Sequence, residues 1–473
     1  MSLRFPYEKF RIGQRESITF IEKAVREGKI ISLSAPTGFG KTIVSLLGCL
    51  NGGADKILYV VRTKNEITPV LREASKLNLS FTFLMSKRDT CPLVDGHVSI
   101  EDFWENCKVL REEGKCPYYL NVQNISVTQV NRKFKEYAPY TIKIIKYLQE
   151  INTCPYYVLR ELIGSSELVV ATYPYLFTDF IFEYTFSPYT YSDFTVVVDE
   201  AHSLAYLSDL FERKLSLRRL ELIKKEILKY TPYASDFVSK IEFIEELLLN
   251  ATIKEGMYTF YDKNVLLRNV GDIELWYDLA KEIRLEKFKE VTDKSKVTIK
   301  VHTLSLVNFI GLLSLDNMYL FTYGRSKDRY FVIKTVDPSV IVSRPLEDSH
   351  SVILMSGTMP PVDFLKNVLS IERNIEELDV ERQYGPIFPE ENRVVLVVTD
   401  VTSKYERRNV EMYKKYALYI DTALEILRDD VKLVVYPSYE FMEQILKHVN
   451  AVSYTHLRAH ETSLHLVCRL LLE

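Results

Sequence analysis

Short apolar runs recur along the chain at Ile30–Leu33, Ile57–Val61, Leu168–Ala171, Phe194–Val198 and Val352–Met355. Each ends in polar or glycine-bearing sequence. Continuous runs of this length suit parallel strands buried on both faces, and the stretches after them read as helices. Between residues 204 and 345 the pattern changes. LRRLELIKKEILKY, FVSKIEFIEELLLN and LWYDLAKEIRLEKFKE repeat apolar positions near i, i+3, i+4 and i+7, the stripe of an amphipathic helix. MYLFTYGRSKDRYFVIKTV then predicts a hairpin around Gly324–Asp328. Farther on, RVVLVVTDV and VKLVVYPSY predict two strands of a second α/β unit, with a helix at about 408–428 between them.

The pattern predicts an α/β first unit assembled from 1–83, 168–203 and 346–384, with insertions at 84–167 and 204–345. A second α/β unit runs over 385–451, and 452–473 does not continue it. That last stretch holds three of the eight histidines (His456, His460, His465) and Cys468. It is expected to be non-native sequence appended to a truncated second unit; a histidine metal tail is the rival. With 473 residues, 47% hydrophobic and 26% charged, the composition is that of a water-soluble protein. A net charge of −3 confines any nucleic-acid surface to a local patch. Arg4, Glu8, Lys9 and Arg11 interrupt any leader-like start, and no apolar run reaches the roughly 18–20 residues of a membrane span, so a cytoplasmic protein is expected.

The chemistry concentrates at the ends of the apolar runs. Ala35-Pro36-Thr37-Gly38-Phe39-Gly40-Lys41-Thr42 lies between a strand-like and a helix-like run. In a phosphate cradle Gly38 and Gly40 allow the tight loop, Lys41 reaches the β and γ phosphates, and the Thr42 hydroxyl ligates Mg²⁺. Ala35 stands where the usual pattern has glycine, so a chance glycine turn is the bland alternative. Phe194–Val198 leads into Asp199-Glu200-Ala201-His202. Asp199 at that strand end can hold Mg²⁺, and Glu200 can orient and deprotonate a water. Gln14 precedes the first strand, where its amide could read an adenine edge or merely cap a helix. Arg62 and Thr63 end the second run and Tyr173 follows the third; these are candidate contacts to a single strand through phosphate and stacking, or plain fold support. Ser356-Gly357-Thr358 ends the last run and could link nucleotide state to a second ligand.

Cys91, Cys107, Cys116 and Cys154 fall within one insertion, spaced C-x15-C-x8-C-x37-C, and the last two repeat the context CPYY. Close C-x₂₋₄-C pairs typical of zinc are absent, and four thiolates over a long loop suit an iron–sulfur cluster at least as well. Spacing leaves the metal open, with buried structural cysteines as the ordinary alternative.

Taken together, FRIGQ, APTGFGKT, YVVRT, the four cysteines, ATYPYLF, VVVDEAH, LMSGTM, DVTSKY and VVYPSYE resemble, in this order, the XPD-type iron–sulfur DNA helicases of superfamily 2, the archaeal ones above all. The resemblance spans about residues 5–450. It implies a RecA-like parallel-sheet motor domain, an inserted iron–sulfur domain at 84–167, a mainly helical Arch domain at 204–345 and part of a second RecA-like domain. It implies ATP and Mg²⁺ at Gln14, Gly38, Gly40, Lys41, Thr42, Asp199, Glu200 and His202, and a 4Fe-4S cluster on Cys91, Cys107, Cys116 and Cys154. It also implies 5′→3′ translocation by a monomer on single-stranded and forked DNA, with DNA repair proteins as partners. The Q-x-x-G-R-x-x-R segment that completes the ATP site in such helicases has no counterpart here, so weak nucleotide binding and very slow hydrolysis are expected of this chain. The alternatives are a DinG-like helicase and a non-catalytic DNA-binding scaffold that retains cluster and Arch.

Overall fold

The computed structural model describes residues 5–94, 98–290, 299–325, 328–392, 394–426, 432–450, 455–457 and 468–472. Two compact units are present, Met1–Ile387 and Phe388–Glu473.

The first unit is built on a seven-stranded parallel sheet. In chain order its first five strands are β1 (Ile30–Ser34), β2 (Ile57–Val61), β3 (Phe81–Phe83), β4 (Leu168–Thr172) and β5 (Thr195–Asp199). Strands β6 (Arg213–Ser216), β7 (Thr259–Tyr261), β8 (Tyr319–Arg325) and β9 (Asp328–Lys334) belong to a separate antiparallel sheet of order β6-β9-β8-β7. Strands β10 (Ser351–Ser356) and β11 (Ile375–Asp379) return to the parallel sheet, whose order is β11-β1-β10-β5-β2-β4-β3. Alternate side chains of each central strand enter opposite layers. Ile31, Leu33, Tyr59, Val61, Val197 and Ile353 face one core, and Ile30, Leu58, Val60, Val196, Val198 and Leu354 the other. This two-sided burial explains why the strands read as unbroken apolar runs. Helices α1 (Gln14–Arg26) and α2 (Lys41–Asn51) cover the first of these layers.

The order places β10 between β1 and β5, with Ser34 paired to Ser356 and Met355 to Asp199. The glycine loop after β1 and the acidic turn after β5 therefore flank Ser356 at the carboxyl ends of neighbouring strands, where open α/β sheets bind ligands.

Residues 213–334 have their own core, in which Trp276 is fully buried. The amphipathic helices lie at Leu217–Tyr230, Ser235–Asn250 and Ile273–Glu290, and the hairpin forms from β8 and β9. Buried Glu226 starts a further helix, His302–Leu313: it accepts from the backbone N–H of His302 (2.9 Å) and Thr303 (2.7 Å) and pairs with Lys287. The cysteine-bearing segment packs a small cluster of Val98, Phe103, Cys107, Leu110 and Cys116 around the helix Ile100–Glu112. That helix is tied to residues 284–301 by buried polar contacts. Asp102 accepts from the Val301 N–H (2.8 Å) and lies 3.5 Å from Arg284, which also donates to Asn106 (2.7 Å).

The second unit differs from expectation. The run 394–398 carries no strand, and Val394, Val395, Leu396 and Val397 are exposed. A strand needs a ladder partner, and β12 (Lys432–Tyr436) instead pairs antiparallel with Cys468–Leu472, which also pairs with Thr455–Leu457. The helix expected near 408–428 is present at Val410–Ile426. The expectation for 452–473 falls largely outside the described residues.

Candidate nucleotide crevice and cysteine cluster

The glycine loop is shaped by two left-handed glycines, Gly38 (φ 87°) and Gly40 (φ 93°), and by Phe39, which anchors it in the core at 0% exposure. Gly40 caps α2, so the loop runs directly into the helix N-terminus, which favours an anion. Lys41 Nζ donates to the carbonyls of Ala35 (3.0 Å) and Pro36 (3.4 Å). Burial lowers its pKa, while the charges of Asp199 and Glu200 act to raise it. The lysine thus shares one crevice with both carboxylates.

Asp199 is held from two sides. Tyr59, fully buried on β2, donates its hydroxyl to Asp199 Oδ2 (3.0 Å). Burial raises the Asp199 pKa, opposed by the Tyr59 hydrogen bond. Glu200 adopts a left-handed backbone (φ 51°) and its carboxylate accepts from Ser356 Oγ (2.9 Å). His202 Nδ1 lies 2.7 Å from the same hydroxyl and 3.2 Å from Glu200 Oε2. Ser356 thus connects the end of β10 to the acidic turn.

Gln14 is buried beneath the loop rather than exposed at a helix end. Its Nε2 donates to Phe39 O (2.6 Å) and its Oε1 accepts from the Arg11 N–H (2.8 Å), leaving one donor hydrogen and one acceptor lone pair. It lines a cavity of about 270 Å³ with Phe5, Tyr7, Gly40 and Thr42 among its neighbours.

The strand-contact candidates divide. Arg62 is exposed. Thr63 is engaged in a capping box, its hydroxyl donating to Glu66 Oε1 (2.9 Å). Tyr173 requires a correction: at 2% exposure, with Phe177 edge-on against its ring at 5.6 Å, it offers no face on which a base can stack. The turn after β4 folds the ring inward, and its hydroxyl donates to Asp199 O.

The four cysteines come from separate elements and are free thiols. Cys91 follows the short helix Lys87–Thr90, Cys107 lies within Ile100–Glu112, and Cys116 and Cys154 immediately precede Pro117–Leu120 and Pro155–Glu161. The repeated CPYY now has a physical reading. Proline at the first helical position fixes the turn, so each cysteine sits at a helix N-terminus, where the N–H groups of Tyr118 and Tyr119 act to lower the Cys116 pKa and that of Tyr157 acts to lower the Cys154 pKa. The Leu93 N–H acts to lower the Cys91 pKa. Burial first, and then the neighbouring thiols, push Cys91 up to about 12 and Cys154 up to about 11. Among the described residues no group of three or more His, Cys, Asp or Glu side chains is arranged to hold a metal ion. Nor is any helix among them long and apolar enough to cross a membrane.

Comparison with known proteins follows the same lines. The family described as DEAD_2 matches residues 59–218. The ATP-dependent DNA helicase XPD of Sulfolobus acidocaldarius is 30% identical over 94% of this chain and 76% of its own length. The chain belongs to the XPD family of ATP-dependent DNA helicases. A solved XPD helicase superposes with a TM-score of 0.63 at 28% identity, covering 94% of this chain and 75% of that one. A truncated XPD gives 0.56 at 27% identity, covering 76% and 98%. The ATP-dependent DNA helicase CHL1 of Meyerozyma guilliermondii is 24% identical over 78% of this chain, which spans about half (49%) of that protein.

In this XPD-family chain the structure brings Gln14, Gly38, Gly40, Lys41, Thr42, Asp199, Glu200 and His202 to one side of the sheet. Sequence reasoning missed Tyr59, Ser203 and Glu66. The first two act through hydroxyls that only the fold brings to the acidic turn. Thr63-x-x-Glu66, by contrast, matches the capping-box pattern and was legible.

Proposed function

We propose that the crevice between the glycine loop and the acidic turn is the ATP site of a helicase that moves 5′→3′ along single-stranded DNA and opens duplex, in DNA repair, and that this chain, without a Q-x-x-G-R-x-x-R segment, hydrolyses ATP only slowly. The observation that carries the reading is the shared crevice of Lys41, Asp199 and Glu200 at the ends of β1 and β5. Lys41 exchanges its loop carbonyls for β and γ phosphate oxygens. Glu200, fixed by Ser356 and His202, orients the attacking water and accepts its proton. Gln14 offers its remaining donor and acceptor to the N7 and N6 edge of adenine. Mg²⁺ between Thr42 and Asp199 would neutralise charge on the phosphates.

Cys91, Cys107, Cys116 and Cys154 would hold a 4Fe-4S cluster, which would cross-link the segment 84–167 into a rigid body. The donor set suits it in its chemistry: four free thiols on separate elements. The segments 84–167 and 204–345 act as cluster and Arch domains beside a RecA-like motor, and Arg62 contacts the strand's phosphates. The protein works as a monomer in the cytoplasm of an archaeon.

Forked duplexes with a single 5′ or 3′ tail test the reading. Slow, ATP-dependent unwinding of the 5′-tailed fork alone is expected; unwinding of the 3′-tailed fork alone would overturn the polarity, and of neither fork the helicase activity.

A further inference from the structure

Four non-glycine residues among those described have positive φ: Asn78, Asn152, Glu200 and Ser370. Asparagine tolerates this region, and Ser370 ends a helix. Glutamate does not favour it, and Glu200 lies between a buried strand and the functional turn, so its surroundings must hold it there.

The peptide plane between Asp199 and Glu200 is pinned at both edges. Its N–H donates to the Asp199 carboxylate (3.0 Å), and its carbonyl accepts the Tyr173 hydroxyl. Ser203 extends the brace, its Oγ lying 3.2 Å from the Tyr173 hydroxyl and donating to Glu200 O (2.8 Å), with its backbone N–H on that same oxygen (3.0 Å). With Asp199 held in β5 and this plane pinned, φ at Glu200 is fixed; an uncompensated turn about the Glu200 N–Cα bond would re-aim its Cα–Cβ bond and carry its carboxylate away from Ser356.

We propose that Tyr173 is a positioning residue for hydrolysis: its buried hydroxyl locks the Asp199–Glu200 peptide and so keeps the Glu200 carboxylate aimed at the water that attacks ATP. This rests on the role given to Glu200 above. It assigns to Tyr173 a task at the nucleotide rather than at the DNA.

The test is Tyr173→Phe, which removes one oxygen and leaves the ring in its packing. Single-turnover ATP hydrolysis by the full chain with single-stranded DNA should slow about tenfold, the equivalent of about 1.4 kcal/mol. ATP and DNA affinities should stay within twofold. In a Glu200→Gln background the same substitution should change the rate less than twofold, because the hydroxyl acts only through Glu200; a general loosening of the core would slow both backgrounds alike. A wild-type rate in Tyr173→Phe, an equal loss in both backgrounds, or a loss of DNA affinity would overturn the proposal. A crystal structure of Tyr173→Phe is decisive without turnover. A rotated 199–200 peptide supports the proposal and an unchanged Glu200 φ refutes it, whereas an inactive wild-type chain would count against the assigned function alone.

Discussion

Replacing Tyr59 with Phe removes a single oxygen from the centre of the first unit. The ring, at 0% exposure, keeps its packing, and the loss is the hydroxyl that donates to Asp199 Oδ2 at 3.0 Å. A hydrogen bond to a charged group contributes about 1.5–3 kcal/mol, so about 2 kcal/mol is expected to go at neutral pH. The sign of the pH dependence follows from Asp199, whose pKa burial raises above the ordinary carboxylate value. Between its unfolded and folded pKa the native state binds more protons, so this carboxyl lowers stability as pH rises. Tyr59→Phe widens that gap. Its deficit is therefore full above the folded pKa of Asp199 and shrinks as pH falls through it. Taking about 2.1 cal/mol/K per residue over Met1–Ile387, 2 kcal/mol lowers Tm by about 2–3 °C. Calorimetry of both proteins between neutral and mildly acidic pH, without nucleotide, reads the effect. Equal Tm at neutral pH, or a deficit that grows on acidification, would refute the reasoning.

Three further outcomes are expected. Asp102→Ala leaves Arg284 buried without its carboxylate partner and should destabilise the contact between Ile100–Glu112 and Ile273–Glu290 by about 3–5 kcal/mol, read as faster proteolysis of the 204–345 segment. Arg62→Ala should weaken single-strand binding uniformly across sequences and reduce the slope of log affinity against log salt by about one, measured by fluorescence anisotropy. Serine at any one of Cys91, Cys107, Cys116 and Cys154 should abolish an absorbance band near 400 nm in protein purified without oxygen; a colourless, zinc-containing wild type would remove the cluster.

The nucleotide crevice was legible because its chemistry is local. Gly38, Gly40, Lys41 and Thr42 are neighbours in sequence, and Val196–Val198 announces the strand that delivers Asp199 and Glu200. Tyr173 stood between strand contact and fold support because an aromatic after a strand end gives no sign of which way it turns. Only the fold shows its ring packed inward and its hydroxyl on Asp199 O. Tyr59 read as one more apolar strand residue, its hydroxyl finding a partner 140 positions away. The Asp102–Arg284 tie joins two insertions that share no periodicity. The run at 394–398 had the apolar composition of a strand, but composition supplies no ladder partner. CPYY was visible as a repeat, while its meaning, a cysteine at the N-terminus of a proline-started helix, needed the backbone.

The most direct measurement is phosphate release from ATP by the full chain under single-turnover conditions, with and without single-stranded DNA, for the wild type and Lys41→Ala. Hydrolysis that the strand accelerates in the wild type, and that falls at least about a thousandfold in Lys41→Ala while DNA affinity is kept, is the predicted result. Hydrolysis indifferent to the strand, or unchanged without Lys41, would contradict it.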